Sequence, residues 1–184
     1  MKITVTPIAL LFFSALYYES PTALFLTLSA MLFHEAGHLL MASALRLPLA
    51  RMEFDVFGAQ ITPALSLPSY RAELLLAMAG PLFSLALGLF LLPVPSARSL
   101  ALTSFSFALF NCLPVLGFDG GRMLHAALSL LLPPAVAMRT LYVCTYLSLL
   151  FLFALSSCML LRFGEQLSLA VLSATLFVRL FLQE

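Results

Sequence analysis

Charge is what this sequence has least of. Aspartate, glutamate, lysine and arginine make up 9% of its 184 residues, against roughly 25% in a soluble domain. That is too little polar surface to coat a globule in water, so a soluble protein is excluded and lipid must be the main solvent. Basic runs are missing too, and a net charge of +1 leaves no electrostatic footprint for nucleic acid. The cysteines are only Cys112, Cys144 and Cys158. Odd in number and without C-x-x-C spacing, they give no disulfide framework; inside apolar stretches they read as small hydrophobes, silent about redox compartment. Internal repeats and low-complexity tracts are absent, and one domain is expected over residues 1–184.

What is present is hydrocarbon. The chain is 62% hydrophobic, with a mean hydropathy of +1.09. Apolar runs suggest membrane segments over residues 3–18, 21–47, 72–92, 96–111 resuming at 119 until Pro133-Pro134, 137–161 and 166–182. Most reach the ~20 residues a spanning helix needs. Lys2 and the apolar run behind it have the shape of a signal peptide, but no A-x-A-like site follows, so a first membrane segment is expected. Ser20 and Pro21 suit the N-cap and first turn of the second segment. Between the second and third segments, "RMEFDVFGAQIT" alternates apolar Met52, Phe54 and Val56 with charged Arg51, Glu53 and Asp55. Period two with Gly58 at the turn predicts a short amphipathic hairpin in or at the membrane, with an irregular interfacial loop as its alternative. The expected fold is an all-α polytopic membrane protein of about six transmembrane helices, one of them interrupted, with a membrane-associated β-hairpin. Lys2, Arg46, Arg51, Arg71, Arg139 and Arg179 fall on one side of six spans and Arg98 and Arg162 on the other, while Arg122 lies inside the interrupted segment. The bias places both termini in the cytoplasm.

Against this background "FHEAGHLL" stands out. His34 and His38, four apart, project from one helix face about 5–6 Å apart at Cβ. Imidazoles so placed can hold one Zn²⁺, and Glu35 beside the first can act as general base toward a metal-activated water. An unpaired buried glutamate costs roughly 2.5–3.5 kcal/mol in a membrane helix, which a metal would offset. A catalytic zinc takes three protein ligands, and Asp55, Asp119, His125 and the other glutamates are the candidates for the third. Asp119 is the strongest. It sits in "NCLPVLGFDGG", where Pro114 and Gly117 stop a helix and Asp119 can cap its resumption. Irregular backbone at membrane depth is tolerated only where protein or a wet cavity surrounds it. His125, six residues on, points away from Asp119 and reads as a packed or interfacial histidine.

"HEAGH", "AGPLFS" at 79–84 and "NCLPVLGFDGG", in that order, resemble the site-2 protease family of intramembrane zinc metalloproteases. The family pattern in the last motif is N-x-x-P-x-x-P-L-D-G-G. Asn111, Pro114, Asp119, Gly120 and Gly121 match it, while Gly117 and Phe118 replace its second proline and its leucine. The resemblance covers residues 3–132, with a catalytic core at 21–132 and additional helices over 137–182. The compact layout and "EFDVFGAQI" are similar to the stage IV sporulation branch, which processes a membrane-associated pro-sigma factor; no CBS or PDZ domain is expected. The resemblance implies that His34, His38 and Asp119 bind one zinc, that Glu35 activates water, and that Asn111 orients substrate or steadies the oxyanion. Gly80 and Pro81 would shape the helix packed beside the motif.

The expected activity is hydrolysis of a peptide bond in or beside a transmembrane segment of a membrane protein, with a regulatory membrane protein as a further partner and a bacterial cell membrane as the location. Two rivals are a metal or small-solute transporter, disfavoured by the lack of repeats, and a non-catalytic binder of membrane segments, which has no need of Glu35.

Overall fold

The structure, a computed structural model, describes residues 2–5, 7–47, 49–55, 58–63, 69–163 and 173–176. The chain begins with a strand, β1 (Lys2–Val5), before helix α1 (Pro7–Glu19). The first membrane segment was expected to be helical from residue 3, and its start is corrected here. Ile3, Thr4 and Val5 are β-branched and favour extended backbone, and Pro7 suits a first helical turn. Strand β1 runs parallel to β2 (Leu49–Asp55), which pairs antiparallel with β3 (Gly58–Pro63), so β2 is the middle strand.

Helix α2 (Pro21–Ala44) starts as its sequence dictates: Ser20 accepts the Ala23 amide at 3.2 Å and Pro21 opens the first turn. It ends in a Schellman turn. Arg46 takes φ 53°, its amide bonds to Ser43 O, and the Leu47 amide bonds to Ala42 O. A left-handed arginine where glycine is usual costs roughly 1–2 kcal/mol. Helix α3 (Tyr70–Leu91) is capped in the same way, Ser69 accepting the Ala72 amide at 3.2 Å. Ala72, Leu76, Gly80, Ser84 and Gly88, four apart, are all buried on one face of α3. That stripe, small but for Leu76, lets α2 and α4 (Arg98–Asn111) approach closely. A turn of 3-10 helix, Pro95–Ala97, leads into α4.

After α4 the chain leaves the helix for residues 112–118 and resumes as α5 (Asp119–Ser129). At about 21 and 17 Å, neither piece spans a ~30 Å hydrocarbon core alone. Phe118 holds the N-cap position without a side-chain bond and Asp119 is the first helical residue. The expected capping role of Asp119 is thereby corrected, because its carboxylate turns to the histidines of α2 and away from its own amides. Helix α6 (Pro134–Phe163) follows, three residues earlier than expected because Pro134 suits a helix start. The segment expected over 166–182 lies outside the described residues apart from 173–176, as does Gly164, the C-cap expected for the segment over 137–161.

Polarity is inverted relative to a soluble protein. Tyr18, Phe25, Phe90, Leu131, Phe151 and Leu161 are exposed, whereas His34, Glu35, His38, Asn111, Asp119 and Thr145 are buried. Three helices among the described residues, Pro21–Ala44, Tyr70–Leu91 and Pro134–Arg162, are long and apolar enough to cross a bilayer. This is a helical membrane protein with a polar interior.

Candidate metal centre

The interior polar groups converge at the middle of α2. His34 and His38 lie on its buried face, 1% and 4% exposed, and Glu35 between them is 4% exposed. Asp119, 8% exposed, reaches them from the first turn of α5. His34 Nε2 lies 2.8 Å from Asp119 Oδ2 and 3.2 Å from His38 Nε2, and His38 Nε2 lies 3.1 Å from the same oxygen. Among the described residues, His34, His38 and Asp119 form a group able to hold a metal ion.

The far side of each imidazole decides what these atoms offer. His38 Nδ1 is 2.8 Å from the carbonyl oxygen of Leu76. A carbonyl only accepts, so Nδ1 carries the proton and, in the neutral ring, Nε2 presents a lone pair to the centre. His34 Nδ1 is 3.1 Å from Ser84 Oγ, a hydroxyl able to accept in the same sense. Two imidazole lone pairs and a carboxylate oxygen then face one point. A single proton serves at most two of the three atoms; a divalent cation serves all three. Zinc–ligand distances of 2.0–2.1 Å in a tetrahedron separate the ligand atoms by about 3.3 Å, and the observed 2.8, 3.1 and 3.2 Å need only a slight spreading. The donor set fits zinc.

The surroundings are tightly drawn. A Cβ at Gly80 would fall on His38 Nε2 and stand 2.6 Å from His34 Nε2, so only glycine lets α3 pass this close. The Phe107 ring meets His34 edge-on with centroids 5.0 Å apart. Arg122 Nη1 lies 3.7 Å from Asp119 Oδ1, the oxygen turned away from the histidines.

The other expected site residues are placed as follows. Asn111 is buried at the end of α4, and its Nδ2 donates to Phe107 O at 3.0 Å. His125 sits apart, its ring edge-on to Tyr70 with centroids 6.0 Å apart and its Nε2 3.5 Å from Ser129 Oγ. The side chain of Asp55 lies outside the described residues. Sequence reasoning gave no role to Ser84, to Arg122 or to the Leu76 carbonyl, although "AGPLFS" carried Ser84 one turn beyond Gly80.

The fold is similar to that of a solved protein, described as a site-2 protease from Methanocaldococcus jannaschii. The match has a TM-score of 0.76 at 20% sequence identity and covers 97% of this chain and 89% of that one. No family model and no curated protein matches the sequence. At this identity the likeness establishes the fold.

Proposed function

We propose that this protein is an intramembrane zinc metallopeptidase, its metal held by His34, His38 and Asp119. The observation that carries the reading is the convergence of three electron-pair donors on one buried point, with Glu35 buried one residue from the first. The fold shared with a site-2 protease supports it. Bound zinc would supply Lewis acidity and bring the pKa of a water toward about 7. Glu35 takes the proton from the attacking water and delivers it to the departing amine. Asn111, with one amide N–H on Phe107 O, has a second N–H to offer the carbonyl oxygen of the scissile bond.

The substrate in this reading is a transmembrane or membrane-associated protein, bacterial, in a membrane crossed six times with both termini cytoplasmic. The β2–β3 hairpin lies at the membrane surface. Strand β3, at the sheet edge, pairs with substrate chain unwound from its helix and holds it extended. Processing of a pro-sigma factor, as in the sporulation branch, is the finer form of this reading.

Coexpression with candidate single-span membrane proteins tests it. Fragments are expected with the wild type and not with Glu35→Gln; fragments from both would assign the cleavage to another protease.

A further inference from the structure

The aspartate of the metal centre directly follows an interruption of helical backbone, the break at residues 112–118. Inside a membrane protein the amides and carbonyls freed by such a break must find partners within the molecule. Several do so locally: Cys112 N–H to Ala108 O, Leu113 N–H to Phe110 O, Val115 N–H to Leu113 O and Phe118 N–H to Val115 O. Leu116 N–H turns outward instead and donates to Thr145 Oγ1 of α6 at 2.9 Å. The same hydroxyl donates to Pro114 O at 3.4 Å. One side chain, 1% exposed, therefore bridges a donor and an acceptor two residues apart in the break.

The rest of the packing shows what that bridge determines. Leu149 and Leu152, one and two turns further along the buried face of α6, pack with Val115 and Phe118. The break also lies close to the start of α5: a Cβ at Gly120 would fall on the carbonyl of Cys112, and one at Gly121 on the carbonyl of Val115. The break is thus packed against both α6 and the first turn of α5, the turn that carries Asp119. Apolar packing holds the layers together but is indifferent to small slides along them. The Thr145 hydroxyl is directional and fixes the height of the break on α6.

We propose that Thr145 is a positioning residue of the metal centre. By bridging Leu116 N–H and Pro114 O it sets where α5 begins, and so holds Asp119 Oδ2 within reach of His34 and His38. The inference rests on the metal-centre reading above.

The test uses the full-length protein in detergent, with zinc affinity measured by competition against a chromophoric chelator. Thr145→Val keeps the branched shape and removes the hydroxyl, Thr145→Ser restores the hydroxyl, and Ser156→Ala deletes another buried hydroxyl from α6. The Ser156 hydroxyl bonds to Phe153 O and Ser173 Oγ, neither of which belongs to the break. Thr145→Val is expected to weaken zinc binding about 10–100-fold, the usual scale for losing a ligand's support. Thr145→Ser and Ser156→Ala should stay near wild type. Equal affinity in Thr145→Val and wild type would overturn the inference alone, as would an equal loss in Ser156→Ala or no recovery in Thr145→Ser. A folded wild type that binds no zinc would overturn the metal centre and this inference with it. If Thr145→Val does not fold, Thr145→Ala takes its place. If neither folds, hydrogen exchange over residues 113–118 of the wild type decides: protection that rises with zinc supports the coupling, and unchanged protection overturns it.

Discussion

His38 Nδ1 lies 2.8 Å from the carbonyl oxygen of Leu76, so a backbone atom of α3 sets the tautomer of a side chain on α2. No side-chain substitution can remove that acceptor. The orientation of His38 is therefore built into the α2–α3 packing itself, and anything that separates the two helices disturbs the ligand before it disturbs the helices.

Gly80 is the point where this packing is most exposed to a single change. An added methyl would fall on His38 Nε2 and press on His34 Nε2, so Gly80→Ala should weaken zinc binding by at least the ~10–100-fold that follows loss of a ligand's support. Gly88→Ala is the comparison: its methyl would meet the ring edge of Phe105, away from the metal centre. It should cost about 1–3 kcal/mol of stability through overpacking and leave zinc affinity unchanged. Metal titration and thermal unfolding of both variants separate the two effects.

Ser84 supports the other imidazole. Its hydroxyl stands 3.1 Å from His34 Nδ1 and is fully buried, so nothing, water included, replaces it easily. Ser84→Ala is expected to weaken zinc binding about 10–100-fold with the helices intact by circular dichroism. Wild-type affinity in that variant would mean that the contact is incidental.

Glu35 and the ligands should separate cleanly in a two-readout assay. Glu35→Gln keeps the shape but exchanges one acceptor oxygen for an NH₂ donor and cannot take a proton. It should retain one zinc per chain by atomic absorption while cleavage falls about 10²–10⁴-fold. His34→Ala, His38→Ala and Asp119→Ala should lose metal and cleavage together. A Glu35→Gln enzyme that cuts at the wild-type rate would remove the general base from the proposal.

How much of this was legible in the sequence follows from the range of each interaction. His34 and His38 meet because a helix repeats every 3.6 residues, which four letters of spacing reveal. Asp119 was conspicuous because a carboxylate beside a proline- and glycine-broken apolar run has few bland explanations. Ser84 and Thr145 carried no such mark. Ser29 and Ser104 bond to the carbonyls of Phe25 and Leu100, four residues back in their own helices, and Thr140 does the same with Val136. In one dimension a hydroxyl that turns back on its own helix looks the same as one that reaches His34, 50 residues away. Only the approach of the helices distinguishes them. The strand at Lys2–Val5 was missed for the same reason, since its partner in β2 is 49 residues along the chain.

The sheet offers the last test, because its proposed role is independent of the metal. Among the described residues β2 is flanked by β1 and β3, whose outer edges carry no further strand. If substrate is held extended against β3, a proline there removes one backbone donor and its ring crowds an incoming chain. Ile61 is a suitable position: counting from the Asp55–Gly58 pair that closes the two-residue turn, Glu53–Gln60 is a hydrogen-bonded pair and Met52–Ile61 is not, so the Ile61 N–H faces the outer edge of β3. Ile61→Pro should slow cleavage of a membrane-embedded substrate severalfold while zinc content stays at one per chain, since the proposed ligands sit on α2 and α5. Cleavage of a short, already extended peptide should suffer less than cleavage of a helical transmembrane segment, because only the helix has to be unwound and captured. Equal rates for wild type and Ile61→Pro on the helical substrate would show that the strand edge takes no part in presenting it.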